Sequence, residues 1–250
     1  MLIRDTETAV RQLSGIIGKT RRLVFFGGAG VSTASGIPDF RSPDGLYAQS
    51  FGQLSPEEIL SRSFFYLQPE TFFRFYRRYL LHPAARPNSA HRCLYLLEQR
   101  DVLRGIVTQN VDGLHRQAGN IRLYELHGNV QENYCMECSA CYPMSRILQS
   151  EGIPRCACGG VIKPNVVLYG EPLEPFVCIG ARREISRADT LIVAGTSLAV
   201  EPAASMIDSF RGDRLVVIDR APCAADAQAS LVIRADLEAV FSGLLADLQG

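Results

Sequence analysis

The sequence lacks net charge and long apolar runs. It has 26 Lys and Arg against 26 Asp and Glu, so its formal net charge at pH 7 is zero, and a basic face for nucleic acid or an anionic membrane is not expected. No apolar run approaches the roughly 18 residues of a membrane span. Residues 1–5 lack the basic start and long apolar segment of a secretory signal. These absences predict a cytoplasmic protein without a membrane partner or direct nucleic-acid binding.

The composition that remains is that of a globular protein. The chain has 250 residues, of which 47% are apolar and 21% are charged. This length suits one large domain or a domain with a smaller insert.

Short apolar runs alternate with helical patterns along most of the chain. The runs that predict strands are residues 23–26, 105–108, 122–126, 165–168, 190–194, 214–218 and 231–233. Helices are predicted for residues 5–18, 175–187 and 202–210, from residue 236, and in a helical stretch that follows residue 55. This alternation predicts an α/β fold with a parallel, doubly wound sheet.

A glycine-rich stretch, residues 27–41, follows the first predicted strand. Gly28 and Gly30 supply the first two glycines of G-x-G-x-x-G, and Thr33 replaces the third. Such a loop lets backbone N–H groups face a bound phosphate, and Arg41 adds a planar cation suited to a pyrophosphate. The match is short, and a strand-to-helix turn that binds nothing explains it about equally well.

Three further polar clusters directly follow predicted strands, at residues 109–115, 127–129 and 195–197. The carboxyl ends of parallel strands meet at one edge of the sheet, where ligands bind. No acidic residue follows a second strand about 20 residues after the glycines, as it does in dehydrogenases. The pattern therefore favours a variant dinucleotide site and disfavours hydride transfer.

Four of the eight cysteines occur in pairs. Cys135-x2-Cys138 is separated by 17 residues from Cys156-x-Cys158. Four thiolates suit tetrahedral zinc and leave no position for a substrate, so the spacing predicts one structural Zn2+ ion. Cys141 is an alternative to Cys138 as a ligand, and buried free thiols are the alternative to a metal site.

The ordered set of motifs resembles the sirtuins of the bacterial, zinc-containing type, which are NAD-dependent protein deacylases. The resemblance runs from about residue 23 to residue 233. Besides the paired cysteines, it rests on Gly28-Ala29-Gly30-Val31-Ser32, residues 36–41 (GIPDFR), residues 109–115 (QNVDGLH), Leu126-His127-Gly128, residues 163–167 (KPNVV) and Gly195-Thr196-Ser197-Leu198.

The resemblance implies a Rossmann-like NAD-binding domain with helices on both faces of its sheet, formed by residues 1–52, 103–132 and 163–250. A helical module (residues 53–102) and a zinc-binding module (residues 133–162) would be inserted in it. The implied reaction moves the acyl group of a protein lysine to ADP-ribose and releases nicotinamide. Protein mono-ADP-ribosyl transfer at the same NAD site is the alternative activity, and a zinc-ribbon binding module is the non-enzymatic alternative.

The resemblance also implies roles for individual residues. His127 matches the general base, and Asn110, with Asp112, matches residues that hold the ribose and the nicotinamide carboxamide. Val166 to Gly170 match the segment that pairs with the substrate peptide. The residues expected to bind NAD are Gly28, Ala29, Gly30, Thr33, Asp39, Phe40, Arg41, Gln109, Asn110, Val111, Asp112, His127, Gly195, Thr196, Ser197 and Asp219.

The chain departs from the family pattern at several positions. Asp219 stands where Asn is common, Tyr169 where Phe is usual, and Gly27 where Thr is frequent. Members that prefer acidic acyl groups carry Tyr and Arg three residues apart, whereas here Tyr79 follows Tyr76. An acetyl or other uncharged acyl group is therefore expected.

Overall fold

A computed structural model describes residues 1–40, 42–43, 45–48, 51 and 54–249. The strands are β1 (Leu2–Ile3), β2 (Leu23–Gly27), β3 (Leu103–Thr108), β4 (Leu123–Glu125), β5 (Gly128–Cys135), β6 (Cys141–Pro143), β7 (Ile162–Val166), β8 (Thr190–Ala194), β9 (Arg214–Ile218) and β10 (Leu231–Ile233). The α-helices are α1 (Thr6–Ile17), α2 (Pro56–Ile59), α3 (Arg62–Leu67), α4 (Pro69–Tyr79), α5 (Ser89–Gln99), α6 (Leu114–Ala118), α7 (Met144–Leu148), α8 (Pro175–Arg187) and α9 (Leu237–Gln249).

Seven strands form a parallel sheet in the order β1-β10-β9-β8-β2-β3-β4. The prediction of a Rossmann-like parallel sheet is confirmed. From β2 the chain builds outward to β3 and β4 on one side, and it later returns to place β8 on the other side. The boundary between β2 and β8 is thus a topological switch point, where ligands of such sheets bind.

β2, an interior strand of the parallel sheet, is buried on both faces. Successive side chains of a strand point to opposite faces. Accordingly, Phe25 packs in a cluster with residues of α1, α5 and α9, whereas Phe26 packs in a second cluster with residues of α8. Every residue of β2 is buried. The large sheet therefore has an apolar core on each side, independent of the polar loops at its edge.

A second, antiparallel sheet has the order β6-β5-β7 and shares a third apolar cluster with α2, α3 and α4. The strand predicted at residues 165–168 is displaced, because the structure forms Ile162–Val166 and pairs it with β5 rather than with the parallel sheet. The helix predicted at residues 202–210 is a 3-10 helix, Ala204–Ser209. Within the described part of the chain, no helix has the length and apolarity needed to span a bilayer.

Candidate active site

The glycine loop after β2 packs directly against the loop after β8. The Gly28 N–H donates to the Ala194 carbonyl at 3.2 Å, and the Gly30 N–H donates to the Gly195 carbonyl at 2.9 Å. A Cβ atom on Gly28 would lie 2.7 Å from the Thr196 Cβ, and one on Gly30 would lie 2.7 Å from the Gly195 Cα. These glycines are required because the two loops meet backbone to backbone at the switch point.

Gln109 joins the loop after β3 to both of these loops. Its N–H donates to the Gly27 carbonyl at 3.0 Å, and its side-chain oxygen accepts from the Thr196 hydroxyl at 3.3 Å. The Thr196 hydroxyl in turn accepts from the Leu198 N–H at 3.1 Å. Within the described residues the buried Gln109 Nε2 has no hydrogen-bond partner, so it is a donor available to a bound ligand.

Asn110 and Asp112 are bridged by a residue absent from the predicted site, Ser32. The Asn110 amide donates to the Ser32 hydroxyl at 3.1 Å, and that hydroxyl donates to the Asp112 carboxylate at 2.7 Å. Ser32 is almost fully buried. Its role was invisible in the sequence because its partners lie about 80 residues away.

Burial raises the pKa of Asp112, opposed by hydrogen bonds from the Leu114 N–H and the Ser32 hydroxyl. The Leu114 bond is 2.8 Å long. A half-buried carboxylate held by two donors is oriented and has further acceptor capacity. It is suited to receive an amide N–H.

His127 lies at the junction between β4 and β5. Its Nδ1 is 2.9 Å from the Gln109 carbonyl. A carbonyl only accepts, so Nδ1 carries the proton and Nε2 presents a lone pair. Burial lowers the pKa of His127, opposed by the Gln109 bond, and the neutral base is favoured at pH 7.

The backbone around His127 fixes the start of the small sheet. The His127 carbonyl accepts from the Val167 N–H at 2.9 Å. Gly128 has φ +73°, and a Cβ there would lie 2.0 Å from the Asn165 carbonyl oxygen. The Val111 carbonyl accepts from the Val130 N–H at 2.8 Å. His127 is therefore held in place by backbone contacts from both sheets.

The last residues of the glycine-rich stretch form a turn that is bonded to the residues that follow them. The Asp39 carboxylate accepts from the Ser42 N–H at 2.8 Å, and the Phe40 carbonyl accepts from the Tyr47 N–H at 2.9 Å. The Phe40 and Tyr47 rings meet edge to face with centroids 5.6 Å apart. Arg41, a predicted site residue, lies outside the described residues.

The remaining predicted positions lie along the same edge. Ala29 and Thr33 belong to two short 3-10 turns after β2, and Ser197 is exposed after β8. Asp219 follows β9, and its carboxylate accepts from the Ala221 N–H at 2.9 Å. Burial raises the pKa of Asp219, and the negative charge of Asp39 contributes in the same direction.

The paired cysteines converge on one point. The sulfur atoms of Cys135, Cys138, Cys156 and Cys158 all lie within 4.8 Å of one another. Four sulfurs bound to one zinc at about 2.3 Å would be separated by about 3.8 Å, so the set fits a single tetrahedral ion. Cys141 is exposed and outside this cluster. A four-thiolate shell is closed, and the site is therefore structural.

These features define a class: an α/β dinucleotide-binding protein with a four-cysteine zinc module and a histidine at the ligand-binding edge of its parallel sheet. The Sir2 family matches residues 28–202. The chain belongs to the Sir2 family, and the predicted family assignment is confirmed.

Relatives of similar length carry the same domain. The chain is 48% identical over 239 residues to an NAD-dependent protein deacetylase of Clostridium perfringens, covering 94% of this chain and 98% of the relative. It is 48% identical over 234 residues to an NAD-dependent protein deacetylase of Cutibacterium acnes, covering 93% and 96%.

Solved structures show the same fold. A Sir2 enzyme described for its mechanism and regulation superposes with a TM-score of 0.86 at 34% identity, over 97% of this chain and 98% of that one. A Sir2 complex with p53 peptide and NAD+ superposes with a TM-score of 0.80 at 35% identity, over 94% and 95%.

Proposed function

We propose that this protein is an NAD-dependent protein-lysine deacetylase. It transfers the acyl group from lysine to ADP-ribose and releases nicotinamide. The observation that carries the proposal is the His127 Nδ1 contact with the Gln109 carbonyl, which leaves Nε2 as a base. His127 follows β4, and the hydrogen-bonded Ser32, Asn110 and Asp112 follow β2 and β3 at the same edge of the sheet. The names of the relatives from Clostridium perfringens and Cutibacterium acnes support it.

Bound NAD would supply an electrophilic ribose carbon with nicotinamide as its leaving group, and the acyl oxygen of the substrate would be the nucleophile. Asp112 would accept the N–H of the nicotinamide carboxamide, and Asn110 would bond the nearby ribose. His127 Nε2 would take a proton from a ribose hydroxyl, so that this oxygen can attack the acyl carbon. The lysine amine then leaves, and one water molecule supplies the oxygen that completes O-acyl-ADP-ribose. A neutral imidazole with a lowered pKa suits this step near pH 7.

The dinucleotide lies along the switch-point edge in this proposal. Backbone N–H groups near Ala29 and Thr33 face the pyrophosphate, with Thr196 and Ser197 opposite. The unpartnered Gln109 Nε2 donates to a ribose hydroxyl. The Asp219 carboxylate accepts adenosine ribose hydroxyls, a role that its position after β9 supports. Phe40 lies beside the nicotinamide, and the role predicted for Arg41 is to bind the phosphates.

The acyl-lysine peptide adds as a strand to residues 166–170. Val167 is bonded to the His127 carbonyl, so this segment runs beside the base. Tyr169 and Gly170 are exposed and accessible to a peptide. Strand addition uses backbone bonds and demands little of the peptide sequence. The preferred acyl group is acetyl or another uncharged group.

The zinc ion has a structural role in this proposal. The four cysteines hold the module of residues 133–162 together, while residues 53–102 form the helical module and the rest of the chain forms the NAD-binding domain. The protein acts in the cytoplasm, without a membrane or nucleic-acid partner.

The proposal is tested by incubating the protein with NAD and a panel of acyl-lysine peptides and identifying the products by mass. Deacylated peptide, nicotinamide and O-acyl-ADP-ribose are expected in equal amounts, with acetyl-lysine favoured over succinyl-lysine. Consumption of NAD only while a protein gains ADP-ribose would instead assign mono-ADP-ribosyl transfer.

A further inference from the structure

Lys163 is a buried charged side chain that the proposed reaction does not use. It belongs to β7, and only 6% of its side chain is exposed. Its Nζ donates to a Glu171 carboxylate oxygen at 3.1 Å, to the Val166 carbonyl at 3.2 Å and to the Pro164 carbonyl at 3.4 Å. An ammonium has three N–H donors, so each of them has an acceptor here. These partners compensate the cost of burying the charge.

Glu171 uses the same carboxylate oxygen to close a backbone loop. Its Oε2 also accepts from the Leu168 N–H at 2.9 Å, and the Glu171 N–H donates to the Leu168 carbonyl at 2.9 Å. Residues 166–170 are here called the substrate segment. Lys163 bonds the backbone where this segment begins, and Glu171 bonds its middle. The ion pair between them joins the two attachments.

The other contacts of the substrate segment lead to the base and to the helical module. The Val167 N–H donates to the His127 carbonyl at 2.9 Å. The Tyr169 N–H donates to the Leu60 carbonyl at 3.0 Å, and the Tyr169 carbonyl accepts from the Arg62 N–H at 2.8 Å. A shift of the segment would therefore disturb its alignment with both neighbours.

Two aromatic rings complete the surroundings of the Lys163 ammonium. Its Nζ lies 6.0 Å from the ring centroid of Phe65, on α3, and 5.9 Å from that of Tyr134, on β5. A cation at this distance from a ring is attracted by its electron-rich face. One charge thus contacts the small sheet, the helical module and the substrate segment.

We propose that the Lys163–Glu171 ion pair fixes the backbone of the substrate segment for the incoming acyl-lysine peptide. Lys163 and Glu171 are then positioning residues, which act through the backbone of Val166 and Leu168. Strand addition needs ordered backbone groups, and a segment without these bonds must be ordered when the peptide binds, at a cost in affinity. This inference rests on the proposed function.

Glu171→Gln is the main test variant. Its amide oxygen can still accept from the Leu168 N–H, but the charge opposite Lys163 is gone. KM for an acetyl-lysine peptide should rise by about ten- to 100-fold, the range for a hydrogen bond to a charged group. The affinity for ADP-ribose, measured by calorimetry, and kcat at saturating peptide should stay near the wild-type values.

Glu184→Gln is the matched control. Glu184 pairs with Arg22 at 3.0 Å and has 16% of its side chain exposed, against 3.1 Å and 18% for Glu171. Arg22 directly precedes β2, so this pair lies at the edge of the large sheet opposite the strand carboxyl ends. The control should keep the wild-type KM for the peptide.

Lys163→Met combined with Glu171→Gln separates positioning from stability. The double variant leaves no unpaired buried charge, so it should regain the melting temperature that Glu171→Gln loses. Its KM for the peptide should nevertheless stay raised, because the bonds to the substrate segment are still missing. A purely structural pair would instead make KM recover together with the melting temperature.

Three results would overturn this inference: an unchanged peptide KM in Glu171→Gln, an equal loss of ADP-ribose affinity, or recovery of KM in the double variant. Each of these leaves the proposed function intact if the wild type deacylates the peptide. A wild type that neither binds nor deacylates any acyl-lysine peptide would refute the proposed function, and this inference with it.

Discussion

The edge of the large parallel sheet and the four-cysteine end of the small sheet are built in opposite ways. At the large sheet, β2 is buried on both faces and apolar clusters flank it, so the polar loops lie on a core that does not depend on them. At the small sheet, β6 spans three residues and the Cys138 and Cys158 thiols are exposed. We expect the four-cysteine end of the small sheet to depend on its metal ligands for its local fold.

Because of this difference, we expect substitutions in one region to affect activity without affecting stability, and substitutions in the other region to affect both. Substitutions at the switch-point edge remove chemistry while the core persists. Substitutions at the cysteine cluster remove the metal and, with it, the local fold. The following predictions test this contrast.

The largest effect is expected from Cys135→Ser combined with Cys138→Ser. Structural zinc contributes on the order of 10–16 kcal/mol in small zinc-dependent folds, so the module should unfold and the activity should be lost with it. Zinc content by atomic absorption should fall from one ion per chain to none, and protease cleavage should begin within residues 133–162. Cys141→Ser, outside the cluster, should retain zinc and activity. Full activity of the double variant without zinc would refute the structural role.

His127→Ala should show the opposite behaviour. General bases contribute about 100- to 10,000-fold in rate, and deacylation should fall by that amount. The variant should keep a cooperative melting transition, its zinc and its ADP-ribose affinity, because β2 and its clusters are untouched. Near-wild-type turnover would exclude His127 as the base.

The pH profile gives a second readout of the same residue. Since burial lowers the pKa of His127, its imidazole stays neutral at a more acidic pH than the imidazole of a free histidine does. The wild-type kcat/KM should be flat near pH 7 and decline only as pH falls through a midpoint below the ordinary value of about 6.5. A midpoint above 7 would contradict this assignment.

Ser32→Ala tests the polar chain itself. It leaves the buried Asn110 amide and the half-buried Asp112 carboxylate without their shared partner, a loss of about 1–3 kcal/mol. KM for NAD should rise and the rate of nicotinamide release should fall, each by about five- to 150-fold. Ser35→Ala is the matched control, since the Ser35 hydroxyl has no hydrogen-bond partner among the described residues. Equal effects of the two substitutions would remove Ser32 from the site.

Near pH 7 the smallest effect is a pH-dependent weakness inside the stable region, which grows as the pH falls. His91 and His115 are buried with ring centroids 4.6 Å apart. Burial lowers the pKa of His91 to about 4, and burial with the nearby His91 lowers that of His115 well below its usual range. Below pH 6.5 the unfolded chain therefore binds more protons than the folded one. Stability should fall by about 1.4 kcal/mol per pH unit for each histidine between pH 6.5 and 4.

Urea unfolding at pH 7 and pH 5 measures this slope. His115→Leu should reduce this slope by about half, since it removes one of the two histidines. The replacement breaks no side-chain hydrogen bond, because both ring nitrogens of His115 have no partner among the described residues. A wild-type slope that His115→Leu does not alter would contradict the role of the pair.

The sequence predicted the large sheet better than the small one. β8, β9, β10 and α8 were predicted at the residues that form them, because apolar strands buried on both faces are visible as continuous runs. β5 was not predicted, since Gly128–Cys135 mixes polar and apolar residues. β7 was displaced because its pairing with β5 is set by distant residues, which local periodicity does not contain.

The site followed the same division. Residues in short motifs, such as His127 and the four cysteines, were predicted from spacing and resemblance. The bridging position of Ser32 was not predicted, because it depends on contacts with Asn110 and Asp112, which lie far away in the chain. The roles of the individual site residues remain predictions.

The position of His127 has a consequence for motion. It lies between the last residues of β4, in the large sheet, and Gly128, the first residue of β5, in the small sheet. When one body swings about a fulcrum, a point moves in proportion to its distance from that fulcrum. A group on the fulcrum itself hardly moves. If the small sheet swings about this junction to admit a peptide, its cysteine end travels far while the imidazole stays aimed.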